Sequence, residues 1–91
     1  MIIKNLNEVS RHEDLVMRKL EENYYLMVGA DVYEANEVGA TIVNAIGRDL
    51  LVEELCVKIS QKYDFNDIEQ IRNDVSSYMD FLINKGLLIY G

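Results

Sequence analysis

Around residues 31–40 the chain changes its hydrophobic period from two to 3.6 with no linker between. Residues 32–35, Val-Tyr-Glu-Ala, are short and strand-like, and from Asn36 onward the pattern is helical. Asn36 is a good N-cap, because its side-chain oxygen can accept from the free amides of a first turn. Glu37 adds a favourable negative charge there. A strand that runs straight into a capped helix ties a small sheet to a helical bundle. At the sheet's edge, its free backbone groups can take in a partner's strand.

Upstream, residues 24–28 (Tyr-Tyr-Leu-Met-Val) have the strongest strand propensity, and their two apolar faces suit a central strand. Residues 15–20 form a candidate first strand, with Glu21-Glu22-Asn23 as a turn because Asn tolerates the left-handed region. Gly29-Ala30-Asp31 is a second tight turn. Three short strands joined this way predict an antiparallel meander. Residues 1–13 are mixed and polar and read as a lead-in arm.

Downstream the reading is helical. A first helix runs from about Glu37 to Ile46 with Val38, Ile42, Ala45 and Ile46 on one face, and Gly47 ends it. A second runs from about Leu51 to Tyr63, its stripe of Val52, Leu55, Cys56, Ile59 and Tyr63 falling at core-facing spacing. Asp67 followed by Gln70 offers a capping box for a third, which runs to Lys85 and stops at Gly86. The apolar tail Leu87-Leu88-Ile89-Tyr90 must pack somewhere. The expectation is one α+β domain over residues 1–91: a three-stranded antiparallel sheet followed by a three-helix, winged-helix-like bundle.

The third helix is apolar over too wide an arc. Ile68, Ile71, Val75, Tyr78, Met79, Phe81, Leu82 and Ile83 spread over about 200°, whereas one-sided packing needs about 100°. Ile71, Val75 and Leu82 lie mid-arc and belong to the core. Tyr78 and Phe81, with Asp74 between them, mark one margin; Met79 and Ile83, with Arg72 between them, mark the other. Either the rest of the fold covers both margins, or one is left open as a groove wall for an apolar peptide.

The chain carries a formal net charge of −7, which disfavours nucleic acid and anionic membrane surfaces alike. No apolar run approaches a spanning helix, and the N-terminus lacks the apolar region of a signal peptide. One cysteine permits no internal disulfide and fits a reducing cytoplasm. Catalytic chemistry has no visible constellation. His12, the one histidine, sits in the polar lead-in, and Cys56 lies on a core stripe as a small hydrophobe. One Cys and one His fall short of a zinc site, no glycine-rich phosphate loop is present, and nothing implies a cofactor. Glu21-Glu22, Glu53-Glu54, Asp64 and Asp67 read as a solvated face or caps. The expectation is a protein that is not itself an enzyme.

The order of Arg18, Tyr25-Leu26, the run from Ala35 to Ala40 with Ile42, then Gly47, Val52-Glu53-Glu54-Leu55, Tyr63-Asp64, Asp74-Val75, Phe81-Leu82 and Gly86-Leu87-Leu88 resembles the PqqD-like family. That family comprises precursor-peptide recognition elements of ribosomally made, post-translationally modified peptides. The resemblance covers residues 15–90 and fits a stand-alone element of lasso-peptide or radical-SAM peptide maturation. It implies that the leader of a precursor peptide adds as a strand to the third strand, against the third helix, and is presented to a separate modifying enzyme. That enzyme would be a leader peptidase, a cyclase or a radical-SAM enzyme. On this chain the strand contribution falls to Val32, Tyr33, Glu34 and Ala35. The helix contribution falls to Ile71, Arg72, Asp74, Val75, Tyr78 and Met79, with Arg72 placed for an acidic leader residue and Asp74 for a basic one.

Two alternatives use the same outline. A winged-helix DNA-binding regulator would read DNA with the third helix, but residues 67–85 carry Asp67, Glu69, Asp74 and Asp80 against Arg72 and Lys85, which repels phosphates. A homodimeric protein–protein adaptor would close through the same edge strand and helix margin.

Overall fold

In the computed structural model, which describes residues 3–64 and 66–90, the polar lead-in is part of the body of the protein. A short 3-10 turn, Leu6–Glu8, is closed by a capping box: the Asn5 side chain accepts from the Asn7 amide at 3.0 Å, and the Asn5 amide donates to Glu8 at 2.7 Å. Leu6 is fully buried. Its amide donates to the Leu50 carbonyl at 2.8 Å and its carbonyl accepts from the Gly47 amide at 2.9 Å. Strand β1, Val9–Arg11, then pairs antiparallel with β5, Leu88–Tyr90, in the register Val9↔Tyr90, Ser10↔Ile89 and Arg11↔Leu88. The expectation of a lead-in arm over residues 1–13 gives way here for residues 3–13, while residues 1 and 2 lie outside the described residues. Leu6 and Val9 fill core space, and the loop after Gly47 is their seat. The apolar tail finds its place in the same pairing, with Leu87 and Leu88 buried.

The meander follows the sequence reading. Strands β2 (Val16–Leu20), β3 (Asn23–Val28) and β4 (Asp31–Ala35) form a three-stranded antiparallel sheet with β3 in the centre. Both hairpins have two-residue loops. Gly29 takes φ +58° at the first loop position of one, as a primed turn requires. In the other, Glu21 holds φ +59°, so the left-handed residue is Glu21 and Asn23 already belongs to β3. Leu26, Tyr24 and Val28 of β3 face the helices, together with Met17 of β2 and Tyr33 and Ala35 of β4.

Helix α1, Glu37–Ala45, starts at Asn36, whose side chain accepts from the Gly39 amide at 2.8 Å. Helices α2 (Val52–Lys62) and α3 (Ile68–Asn84) complete an α+β domain of winged-helix-like outline. Asp67 caps α3 through the Gln70 amide, but the Gln70 side chain turns outward to Asp74 at 2.9 Å, so the box expected there is a single cap. Ile42, Val43, Leu55, Cys56, Ile59, Ile71, Val75, Met79 and Leu82 form the centre of the core with Leu26. Burial raises the pKa of the Cys56 thiol, in keeping with a small hydrophobe inside α2.

Candidate functional site

Beside the end of β4, α1 and α3 diverge and leave a groove of about 670 Å³. Its floor is apolar: Ala35 from the strand, Val38 and Ile42 from α1, Ile59 from α2, and Ile71 and Val75 from α3. Its rim is polar and acidic, formed by Glu34, Asn36, Asn66, Asp67, Gln70 and Asp74. Tyr78 closes one end. Its ring stacks on Phe81 with centroids 6.0 Å apart, and Phe81 meets Tyr33 edge-on at 6.0 Å, so an aromatic margin continues from the groove towards β4.

The Tyr78 hydroxyl is the most informative atom of the site. It is buried and has no hydrogen-bond partner in the described residues, and burial raises its pKa. An unpaired buried donor costs about 1–3 kcal/mol, so it normally has a purpose.

Strand β4 supplies the second element, a free backbone edge. Among the described residues it pairs with β3 alone, in the register Met27↔Val32, Leu26↔Tyr33 and Tyr25↔Glu34. A two-residue hairpin loop makes Val28 and Asp31 a hydrogen-bonded pair, and the antiparallel alternation then turns Tyr33 and Ala35 towards β3. The N–H and C=O groups of Val32 and Glu34 therefore point away from the sheet, at its open edge.

Of the residues singled out from the sequence, Glu34, Ala35, Ile71, Asp74, Val75 and Tyr78 come together at the groove. Tyr33 adjoins it through Phe81, and Val32 lies on the edge with its side chain exposed on the opposite face. Two residues belong elsewhere. Met79 is buried in the core. Arg72 lies outside the groove lining: its Nε and Nη2 donate to both carboxylate oxygens of Glu53 at 2.8 and 2.6 Å, and its Nη1 donates to Glu69. This pairing, through the hydrogen bonds from Arg72, holds the Glu53 carboxyl below its ordinary range and raises the Arg72 pKa. Glu53, read from the sequence as a solvated carboxylate, is thus half of a bridge between α2 and α3. The Arg72 guanidinium is engaged through all three of its nitrogens with Glu53 and Glu69.

Sequence reasoning passed over Val38, Ile42, Ile59, Asn66, Asp67 and Gln70 as lining residues. One signal was available: Gly39 is the glycine that lies inside a helix, and such a glycine marks close packing. Tyr78 lies directly over it.

Among the described residues no group of three or more His, Cys, Asp or Glu side chains is arranged to hold a metal ion. No helix among them is long and apolar enough to cross a membrane. His12 is tied into a turn, its Nδ1 accepting from the Asp14 amide at 3.0 Å.

The family model described as coenzyme PQQ synthesis protein D (PqqD) matches residues 22–88, from β3 to the start of β5. The chain belongs to the PqqD family. The matched span contains β4, the three helices and every groove residue named above. This PqqD-family fold also superposes on a solved structure of TbiB1 in complex with the TbiA(beta) leader peptide, with a TM-score of 0.71 and 20% identity. The alignment covers 86% of this chain and 92% of that one. No curated protein matches the PqqD-family chain.

Proposed function

We propose that this chain is a non-catalytic peptide chaperone that binds the leader of a ribosomally synthesised precursor peptide and presents it to a separate modifying enzyme. The observation that carries the reading is the junction of an open β4 edge with an apolar groove. A strand added to β4 would bond through Val32 and Glu34. Its alternate side chains would point the same way as Tyr33 and Ala35, onto α3 and into the groove. Main-chain bonds of this kind supply affinity, and the pockets supply selectivity. Family membership and a fold shared with a protein solved in complex with a leader peptide support the same reading.

Within this reading Val32, Tyr33, Glu34 and Ala35 form the docking strand. Ile71, Asp74, Val75 and Tyr78 form the opposing wall, and the Tyr78 hydroxyl donates to an acceptor on the bound peptide. The enzyme partner belongs to the leader peptidases, cyclases or radical-SAM enzymes of such maturation systems, and the setting is cytoplasmic. The test is a fluorescence-anisotropy titration with the labelled leader of the precursor gene nearest this one. Saturable binding, with no change in the peptide's mass on incubation, supports a chaperone; a folded chain that leaves the leader free contradicts it.

A further inference from the structure

The helices cover one face of the three-stranded sheet. Side chains alternate along its strands, so the registers Val16↔Met27↔Val32 and Arg18↔Tyr25↔Glu34 set two rows on the other face. Tyr25 and Met27 are half-buried, yet unlike Tyr24 and Val28 they do not pack against the core. Val16 and Val32 flank Met27 at 45% and 58% exposure. A single exposed valine is ordinary, but an apolar row across three strands with a tyrosine beside it is a face that lacks its cover.

The charges on this face say what the cover is. Arg18 stands on β2 and Glu34 on β4, one to each side of Tyr25. Both side chains are exposed, and neither has an ion-pair partner among the described residues. We infer that this face is covered by a second copy of the chain, packed sheet on sheet about a two-fold axis that runs along β3. Such an axis keeps the position along each strand and exchanges the two sides, so β2 lies over β4 of the second copy. Arg18 of each copy then meets Glu34 of the other, Val16 meets Val32, and the Tyr25 and Met27 side chains meet their counterparts at the centre. A two-fold axis across the strands fails, because it lays β2 on β2 and sets Arg18 against itself or against Val16. The contrast is the cleft between α1 and α2, lined by Arg48, Lys58 and Lys62, where a single sign of charge gives a second copy nothing to pair with.

The contact is independent of the peptide-binding reading. It uses the face of the sheet, whereas the open-edge groups of Val32 and Glu34 lie in the plane of the sheet, so each copy keeps its groove. Three strands of about five residues present an outline of roughly 250 Å². That is well short of the about 800 Å² that each partner buries in a standard stable complex, so the dimer is weak and reversible.

The experiment is analytical ultracentrifugation of the purified full chain without peptide, from roughly 1 µM to 1 mM, where small interfaces associate. The wild-type chain is expected to pass reversibly from monomer to dimer. Arg18→Glu alone and Glu34→Arg alone each set like charges together at both ends of the contact, and each weakens the dimer at least about tenfold. An equimolar mixture of the two variants restores opposite charges at both ends and regains the wild-type association, which a misfolded variant could not do. Circular dichroism checks each variant separately. A wild-type chain that stays monomeric over this range, which leaves the face to a different protein, overturns the inference. So does a dimer that neither variant weakens, or a pair of variants that stay apart on mixing.

Discussion

The Tyr78 hydroxyl oxygen stands 2.9 Å from the point that a Cβ on Gly39 would occupy, with two ring carbons at 3.0 and 3.2 Å. The glycine is the reason the ring can lie against α1 and close the end of the groove. Gly39→Ala gains about 1 kcal/mol of helix propensity but forces the ring aside, at about 1–3 kcal/mol for overpacking. The expected outcome is a fold that survives with a modest loss of stability and a peptide affinity that falls more than stability does. Chemical denaturation and peptide titration on the same variant measure the two separately.

Tyr78→Phe isolates the hydroxyl. Removing a buried donor without a partner costs the free protein nothing, so the unfolding free energy is unchanged or rises by up to about 1 kcal/mol. Affinity for the leader peptide falls about three- to tenfold as one hydrogen bond is lost. Denaturant melts and titrations of wild type and variant check both signs.

Proline at neighbouring positions of β4 separates edge from ladder. The Val32 amide points to the open edge, so Val32→Pro leaves the β3 bonds in place and removes a donor from the incoming strand. The Tyr33 amide bonds to β3, so Tyr33→Pro breaks the ladder itself. Val32→Pro should keep the circular dichroism spectrum and lose peptide binding, whereas Tyr33→Pro should lose stability as well.

The bridge between Arg72 and Glu53 is structural and lies outside the groove lining. Arg72→Ala should lower stability slightly, with a smaller effect at high salt, and leave peptide affinity unchanged. Its pH dependence has a definite sign. The hydrogen bonds from Arg72 depress the folded-state pKa of Glu53, so its contribution is present above the ordinary carboxylate range and is lost as pH falls through the depressed value. The stability difference between wild type and Glu53→Gln should therefore narrow on acidification, which thermal melts across a pH series will show.

The N-terminal segment belongs to the core. Leu6→Ala empties a fully buried site and should cost about 2–5 kcal/mol, as read by denaturant unfolding. A lead-in arm would tolerate the change with no measurable loss.

These outcomes mark where the sequence was legible. The meander, the Asn36 cap and the three helices announce themselves through local period, turn residues and caps, and each rests on contacts within a few residues. The pairing of β1 with β5 does not. Each strand has three residues, too few for an alternation to stand out, and they meet from opposite ends of the chain. The groove is legible in part for a similar reason. The excess apolar arc of α3 points to an open margin, and the margin that stays open is that of Tyr78 and Phe81. The packing of α2 against α3 decides the fate of Arg72, because only then does Glu53 come within reach. Met79, one turn beyond the groove-lining Val75, is drawn into the core, which sequence spacing alone does not order.

The most direct test is an amide NMR titration of the labelled full chain with the leader peptide of the precursor gene nearest this one. The account predicts saturable shifts confined to β4 and Asn36 and to the groove-facing residues of α1 and α3, with the Val32 and Glu34 amides becoming protected from exchange. Shifts centred on the β2 edge, on the outer face of the sheet or on the cleft at Arg48, Lys58 and Lys62, with Val32 and Glu34 unprotected, would contradict it.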